Sequence, residues 1–495
     1  MYKILKADKD TYITDKVVND SRSHGANVGI AGTLDLFKLY GSTVTGSLKL
    51  PNIELSRLLI HFDLTSLRTL VSENKIDVTN NSFFAKLKLV DVYGGQPTPD
   101  KFTLTISPLS KSFDEGHGKD IVYYGDYDVA NFLTASTNNV WLLSGCNQSG
   151  SVGSSCDYYT GSVSTTQYFT TGEEDLDVDV TTAVKAMISG TIPDSGFRIS
   201  YTPAEETDHY TYFVKRFATK RADESRRPKL VFGFDDSIRD SSEGMALDTN
   251  ETLFLYNYDH GRPTNLSVTG LNSIALKMRL PISGGFYEVA VTGSQHYSGI
   301  NPVVGVYSAS IYLSSSNSTV AAALLASGSK LKFTPIWGTL NGATAFFTGS
   351  NVTVVPPNRT SRSLSPTKFV VTAPNVNSSY RESESPVIRV NIFDHTAPLV
   401  TVAKYPVESP GSLQGIASDA YYRIRNVVTD YIVVPFDTSK GSTKLSSDSS
   451  GLFFQMDITN LEINSSYVID VLLLVGGQLQ QYSSVSPVFK ILAEA

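Results

Sequence analysis

Hydrophobic and polar residues along this chain alternate with a period of two rather than grouping every three or four positions. Leu87 and Leu89 stand against Lys86 and Lys88, and Phe197, Ile199 and Tyr201 against Arg198 and Ser200. The same rhythm returns at Ile274, Leu276, Met278 and Leu280, and at Phe454, Met456 and Ile458 against Gln455, Asp457 and Thr459. Successive side chains of a strand point to opposite faces, so each run predicts a strand with one face toward a core. Turn clusters such as Gly94-Gly95, Ser283-Gly284-Gly285 and Gly476-Gly477 separate the runs. Many short strands punctuated in this way predict an all-β chain of sandwiches or barrels.

One segment breaks the rhythm. Asp179-Val180-Thr181-Thr182 precedes Val184, Met187 and Ile188, which share one face at helical spacing, and Gly190 follows as a stop. Two polar stretches divide the chain. Asp235-Asp236-Ser237-Ile238-Arg239-Asp240-Ser241-Ser242 follows an apolar run, and Pro374 to Ser385 is rich in Asn and Ser. They predict domains over 1–235, 236–375 and 376–495, with Ala397 as another place for the last to begin. In the last domain, Leu461 is followed by Tyr467, then by Ile469 and Val471 at alternate positions. That spacing predicts the tyrosine corner of immunoglobulin-like and fibronectin-like sandwiches, whose Tyr hydroxyl bonds back to upstream backbone. A plain buried tyrosine is the other reading.

Composition narrows the class further. At 495 residues the chain is longer than one core sustains, and 41% hydrophobic residues suffice for several. The 26 Tyr and 24 Phe suit pleated, half-buried surfaces better than helices. A net charge of −7 argues against the basic field that nucleic-acid binding needs. The most basic stretch, Lys215 to Lys229 with Arg216, Lys220, Arg221, Arg226 and Arg227, is interrupted by Asp223 and Glu224 and reads as strand edges with a solvated loop. The first residues hold no apolar signal segment, and no run approaches the ~20 apolar residues of a membrane span. Cytoplasmic synthesis is the resulting expectation, and Asn-x-Ser/Thr triplets at Asn265, Asn317, Asn351 and Asn464 are then chance. Cys146 and Cys156 bracket a Ser/Gly loop and are expected as reduced thiols.

Residues 1–235 resemble the DNRLRE family, a jelly-roll module related to carbohydrate-binding modules and found in cell-wall and phage proteins. Six pieces stand in family order: Ala7-Asp8-Lys9-Asp10-Thr11-Tyr12-Ile13, Asn27-Val28-Gly29, Arg57 through Leu67, Ala85 through Leu89, Ser112-Phe113-Asp114-Glu115-Gly116, and a close at Val178-Asp179-Val180-Thr181 with Arg227-Pro228-Lys229-Leu230. Phe113 stands where the family usually has Trp. Beyond this domain, Gly305-Val306-Tyr307-Ser308-Ala309-Ser310 and Tyr421 to Tyr467, including Pro435-Phe436-Asp437-Thr438 and Lys444 to Asp448, resemble structural proteins of tailed-phage virions. The resemblance implies an N-terminal jelly-roll sandwich followed by two smaller immunoglobulin-like β-sandwich domains. It also implies a virion location, as an accessory structural protein at the neck, the tail or the capsid surface. Its partners would be other virion proteins (capsid, neck or tail subunits), with the chain in symmetric multiple copies or as a homo-oligomer. The alternative reading is an adhesin that holds host or environmental glycan. Neither nucleic acid nor membrane is among the expected partners.

The sequence offers chemistry little. Glycan hydrolysis needs two carboxylates flanking a groove. Asp114, Glu115 and Asp120 around His117, and the run Glu173, Glu174, Asp175, Asp177 and Asp179, are the candidates; both read more easily as loop or strand-edge acids. The second could offer oxygens to Ca²⁺ but lacks the spacing of a calcium loop. The 7 histidines form no His-x-x-x-His pair, and no Gly-x-Ser-x-Gly elbow or phosphate-binding glycine loop occurs. Of the 2 tryptophans, Trp141 in Asn138-Asn139-Val140-Trp141 could be an exposed sugar platform or a buried anchor, with Trp337 the other indole. A non-enzymatic protein without cofactor is the expectation, with no catalytic, cofactor-binding or metal-ligating residue assigned.

Overall fold

The computed structural model describes residues 1–494 apart from 46–47, 74–75, 96–97, 123–127, 243, 267–272, 299–300, 328–329, 357–368, 395–418, 449 and 476–477. The Ala397 boundary and the Gly476-Gly477 turn fall outside the described residues. The chain is all-β, with about 48% strand and 9% helix. It divides into two compact units. One comprises Tyr2–Val78 and Phe83–Gly233; the other comprises Met1, Thr79–Ser82 and Phe234–Ala495.

In the first unit a 7-stranded sheet runs Thr165–Phe169, Phe102–Pro108, Phe197–Tyr201, Leu48–His61, Thr33–Thr45 and Tyr212–Ala218, and Lys9–Thr14 also pairs with Leu48–His61. A 4-stranded sheet runs Tyr2–Lys6, Lys229–Gly233, Phe84–Leu89 and Leu176–Asp179. The alternation read from sequence holds in Phe84–Leu89. There Leu87 and Leu89 are buried, while Lys86 and Lys88 reach across the strand pair to Asp177. It fails in Phe197–Tyr201, which is buried on both faces, Arg198 and Ser200 included. The cause is a third layer: irregular chain from Leu109 onward lies over one sheet face, packing Phe113, Ala130, Ala135, Trp141 and Cys146 onto Ile13 and Leu59. The fully buried Asp157 pins that layer by accepting from the N–H groups of Leu142, Leu143 and Gln148 at 2.7, 3.0 and 3.0 Å. The expected helix forms at Thr181–Ile188, with Ala183, Val184 and Met187 inward and the Thr181 N–H donating to Asp179. Further helices, unforeseen, occur at Thr65–Ser72, Pro203–Thr207 and Ser318–Ser327.

In the second unit, the C-terminal strands adopt immunoglobulin-like connectivity. One sheet runs Phe369–Thr372, Val387–Asp394, Gly451–Gln455 and Ser446–Asp448. The other runs Ser379–Arg381, Phe489–Leu492, Ser466–Val475, Asp419–Asn426 and Ile432–Val434, with Gln478–Tyr482 also on Ser466–Val475. Pro374 to Ser385, read as a linker, is where the opening strand changes sheets: Ser379–Arg381 pairs in parallel with Phe489–Leu492, and Tyr380 is buried. The polar stretch near Asp240 is likewise paired backbone. Ser447 N–H donates to the Ile238 carbonyl at 2.8 Å and Asp240 N–H to the Ser447 carbonyl at 3.2 Å.

The strands from Gly244 to Val355 depart from that pattern. They join in one 8-stranded sheet in the order Gly244–Ala246, Val352–Val355, Leu331–Gly338, Ser273–Ile282, Gly285–Ser298, Asn301–Tyr312 and Asn250–Tyr256, with Ala345–Thr348 beside Leu331–Gly338. Met245, Leu255, Met278, Tyr307, Phe333 and Val354 share one core. The class is β, as expected.

The corner tyrosine takes the predicted role. Tyr467 is fully buried and its hydroxyl accepts the Glu462 N–H at 2.8 Å. Tyr307 does the same for Leu266 N–H at 2.9 Å, and Tyr380 for Asn377 N–H at 2.8 Å. Tyr467→Phe removes one acceptor and keeps the ring. It should cost about 0.5–1.5 kcal/mol, the net worth of a hydrogen bond, read as a lower urea midpoint of the full chain or faster exchange of the Glu462 amide. An unchanged midpoint and exchange rate would make the hydroxyl dispensable.

Candidate functional site

Three of the six pieces of the family resemblance, those with Asp10, with Asn27 and Gly29, and with Glu115, meet in the first unit, together with Lys220 and Arg221. The Asp10 carboxylate accepts the Lys220 N–H at 2.5 Å, and the Asp10 N–H donates to Glu115 Oε1 at 3.1 Å. Lys220 Nζ lies 2.7 Å from Glu115 Oε2, and Arg221 donates to the Gly29 carbonyl at 2.8 Å. Asn27, fully buried, closes the cluster. Its amide donates to the carbonyls of Glu115 and Ala130, both at 2.9 Å. Its oxygen accepts from the N–H groups of Gly29 and Gly118 at 3.2 and 2.7 Å. Gly116 has φ +76°, and a Cβ on Gly29 would lie 2.0 Å from the Glu115 carbonyl oxygen, so no larger residue fits there.

This clasp absorbs the first carboxylate candidates. Glu115 is held by Lys220 and by the Asp10 N–H, while Asp114 is exposed beside Lys9 at 3.8 Å. Burial raises the Asp10 carboxyl to about 6, with the Lys220 N–H opposing and the Glu115 charge adding to the shift. Its folded pKa exceeds the unfolded value of 3.8, so its stabilising share is complete below that value and is lost as pH rises through about 6. Replacing it with Asn should flatten the urea midpoint against pH between about pH 4 and pH 7 relative to the parent. An identical profile would assign the titration elsewhere.

In the acidic run, Glu173 is exposed, while Glu174, Asp175, Asp177 and Asp179 are each engaged. Glu174 accepts from the N–H groups of Thr170, Thr171 and Gly172; these outweigh its desolvation and take it down to about 2. Asp175 accepts the Asp91 N–H, Asp177 faces Lys86 and Lys88, and Asp179 caps the helix through Thr181 N–H. The basic stretch turns inward too. Lys215, fully buried, pairs with Asp91 and donates to the Gly172 and Glu174 carbonyls, and Arg216 faces Asp35. In the C-terminal stretch of the resemblance, Asp437 accepts from Ser439, Lys440 and Ser442 N–H groups and organises a loop.

Two arginines, Arg57 and Arg198, are buried. Arg57 makes a two-pronged pair with Glu206 at 2.8 and 2.7 Å and donates to the Gly145 carbonyl at 2.7 Å. Arg198 stacks 4.3 Å from the Tyr158 ring centroid, reaches Glu206 at 3.7 Å, and leaves its Nε without a partner. Cys146 sits nearby, and burial pushes its thiol up to about 12, against the pull of Arg198. Such a thiol is inert rather than nucleophilic at neutral pH. His61 is flanked by two carboxylates. It lies 2.6 Å from Asp8 and 3.9 Å from Asp194; burial depresses its pKa, but the Asp8 bond and charge outweigh that and raise it.

Trp141 is a buried anchor whose indole N–H donates to the Asn131 carbonyl at 2.9 Å, so it is not a sugar platform. Exposed aromatic surface lies instead on the loop that follows the helix at Pro203–Thr207 and on the start of the strand Tyr212–Ala218. Tyr210 and Phe213 are 72% and 52% exposed, and His209 stacks on Tyr40 at 4.9 Å and 18°. Buried Lys38 fixes that loop by donating to the Asp208 and Tyr210 carbonyls, both at 2.6 Å. The run His209-Tyr210-Thr211-Tyr212-Phe213 is the sequence signal that could have found it.

No family model matches the chain, and no curated protein matches it. The chicken CNTN1 FN1–FN3 domains are 12% identical, covering 65% of this chain and 79% of that one, with a TM-score of 0.15. Dimeric latent PorU from Porphyromonas gingivalis is 10% identical, covering 100% of this chain and 34% of that one, with a TM-score of 0.17. At these scores neither superposition carries an argument about fold or function. The DNRLRE likeness of the first unit rests on its six pieces alone.

Proposed function

We propose that this chain is an accessory structural protein of a tailed-phage particle, acting by stoichiometric contact with neighbouring subunits at the neck, tail or capsid surface. The observation that supports it best is the fate of the polar groups that chemistry would need. Asp10, Asn27 and Glu115, with Glu174 and Asp437, are spent on holding backbone and on one another. A motif that maintains architecture suits a scaffold module. Stable subunit contacts bury about 1,000 Å² or more and need broad surface rather than a deep pocket.

Purified particles should contain the chain at a fixed multiple-copy number after high-salt washing. Its loss on washing, or release of reducing sugar ends abolished by replacing Glu115 or Asp114, would overturn the reading. One observation favours glycan attachment as a second reading: the rigid, exposed aromatic loop with Tyr210, Phe213 and the Tyr40–His209 stack. Aromatic faces are the usual seat for sugar rings. Glycan-array binding lost on Tyr210→Ala, with the chain still particle-bound, would establish that role beside assembly; an array without signal would remove it.

A further inference from the structure

His61 ends the strand Leu48–His61, and two other segments of the first unit meet at its ring. The turn before Lys9–Thr14 brings Asp8, whose Oδ1 lies 2.6 Å from Nδ1. The Asp8 N–H also donates to the His61 carbonyl at 3.1 Å, so backbone pins this contact. On the other side the loop 189–196 brings Asp194, whose carboxylate lies 3.9 Å from Nε2. The two side chains are mostly buried, at 17% and 13% exposure. Asp194 also holds the helix Thr65–Ser72, pairing with Arg68 at 3.0 Å and accepting the Leu64 N–H. Arg68 in turn donates to the Met187 carbonyl at 3.1 Å, in the last turn of the helix Thr181–Ile188.

These contacts fix which proton moves. A neutral imidazole carries one N–H, and the hydrogen bond made by one nitrogen selects the tautomer. Asp8 accepts at Nδ1, so the Nδ1 proton stays in both charge states. The Nε2 proton is the one that comes and goes, and it faces Asp194. At 3.9 Å that contact is too long for a hydrogen bond and acts through charge. The protonated ring gives Asp194 a second cation beside Arg68; the neutral ring turns a lone pair toward it. Burial lowers the His61 pKa, but the Asp8 bond and charge and the Asp194 charge raise it above 6.5, while Lys9, opposite in register, opposes them. The other charges close by are Asp63, which accepts the Thr65 N–H, and Lys220, which donates to the Asp8 carbonyl.

We propose that the His61 Nε2 proton is a pH-sensitive tie, holding the loop 189–196 and the start of the helix Thr65–Ser72 against the sheet, and that its loss loosens both. The tie is independent of the particle reading and stands or falls separately from it. The folded midpoint is the higher one, so the tie is complete below pH 6.5 and is lost as pH rises through that midpoint. Each unit by which Asp194 raises the midpoint equals an about tenfold weaker hold on the loop after deprotonation.

The test uses the full chain, with NMR of histidine-labelled protein and amide exchange corrected for intrinsic rates, from about pH 5.5 to 8.5. His61→Gln assigns the His61 signal among the 7 histidines. A midpoint above 6.5 and a neutral ring protonated at Nδ1 are expected. Exchange in 189–196 should accelerate about tenfold through the same midpoint. His61→Gln keeps a donor for Asp8 and cannot titrate, so it should abolish that step, as should Asp194→Asn. Asp10→Asn should leave the step in place, which separates it from the neighbouring titration. A midpoint at or below 6.5, a neutral ring protonated at Nε2, or an exchange step missing from the parent or kept in His61→Gln would overturn the proposal.

Discussion

Glu206→Ala is expected to destabilise the first unit by about 3–5 kcal/mol, because among the described residues it removes the one carboxylate paired with two buried arginines. Arg57 and Arg198 are each 2% exposed, and Glu206 faces both, at 2.7 and 3.7 Å. Without it, two guanidinium groups stay in a low-dielectric interior with no compensating charge. The pKa directions agree: burial pushes Glu206 up, but the Arg57 charge and hydrogen bond together with the Arg198 charge outweigh it and hold Glu206 below the usual range, while burial and then Arg57 depress Arg198. Glu206→Gln keeps hydrogen-bond acceptance and loses the charge, so it should fall between the parent and the alanine variant. Urea unfolding of the full chain, followed by amide exchange in Phe197–Tyr201, would measure both. Added salt should change the difference little, since buried pairs are poorly screened. A loss below about 1 kcal/mol, typical of exposed pairs, would mean that water reaches the site.

Why that pair escaped the sequence is instructive beside what did not. Leu461 and Tyr467 are six positions apart, and the geometry linking them is one local turn, so spacing alone sufficed. The helix Thr181–Ile188 was legible for the same reason: its start signal, apolar face and glycine stop are contiguous. The helix Ser318–Ser327 was missed although it is equally local, because its apolar residues show no period and the alanines were overlooked in a chain poor in helix formers. Arg57 and Glu206 are 149 positions apart, and neither carries a mark that distinguishes a buried charge from a solvated one. Alternation itself misled at Phe197–Tyr201. A polar residue between apolar ones reads as solvent-facing, and nothing local announces that irregular chain will cover that face. The polar stretch at Ile238 to Asp240 follows a division of the chain at Gly233/Phe234, and its backbone pairs with Ser447 within the second unit. Sheet membership from Gly244 to Val355 depends on which non-local strands meet, which period-two patterning does not specify.

Asn27 gives the sharpest separation between architecture and function in the resemblance. Its amide group bridges four backbone groups contributed by Gly29, Glu115, Gly118 and Ala130. Asn27→Ala leaves two N–H and two C=O groups in a buried site, and an unpaired buried group costs about 1–3 kcal/mol. The costs are not additive, since the loop can relax, so about 3–5 kcal/mol is expected for the four together. Asn27→Asp is the more discriminating change. It keeps the acceptor for Gly29 and Gly118 but turns a second carboxylate oxygen toward the Glu115 and Ala130 carbonyls, where only a donor is tolerated. That variant should be destabilised at neutral pH and partly recover as the medium becomes acid, because a protonated carboxyl can donate to one of the two carbonyls. If the family pieces converge only to hold the loops together, both variants lower the urea midpoint, and particle incorporation falls only as far as folding does. If Asn27→Ala leaves the midpoint unchanged while particle incorporation or glycan binding is lost, the clasp serves a partner instead, and the contact surface lies at this end of the first unit.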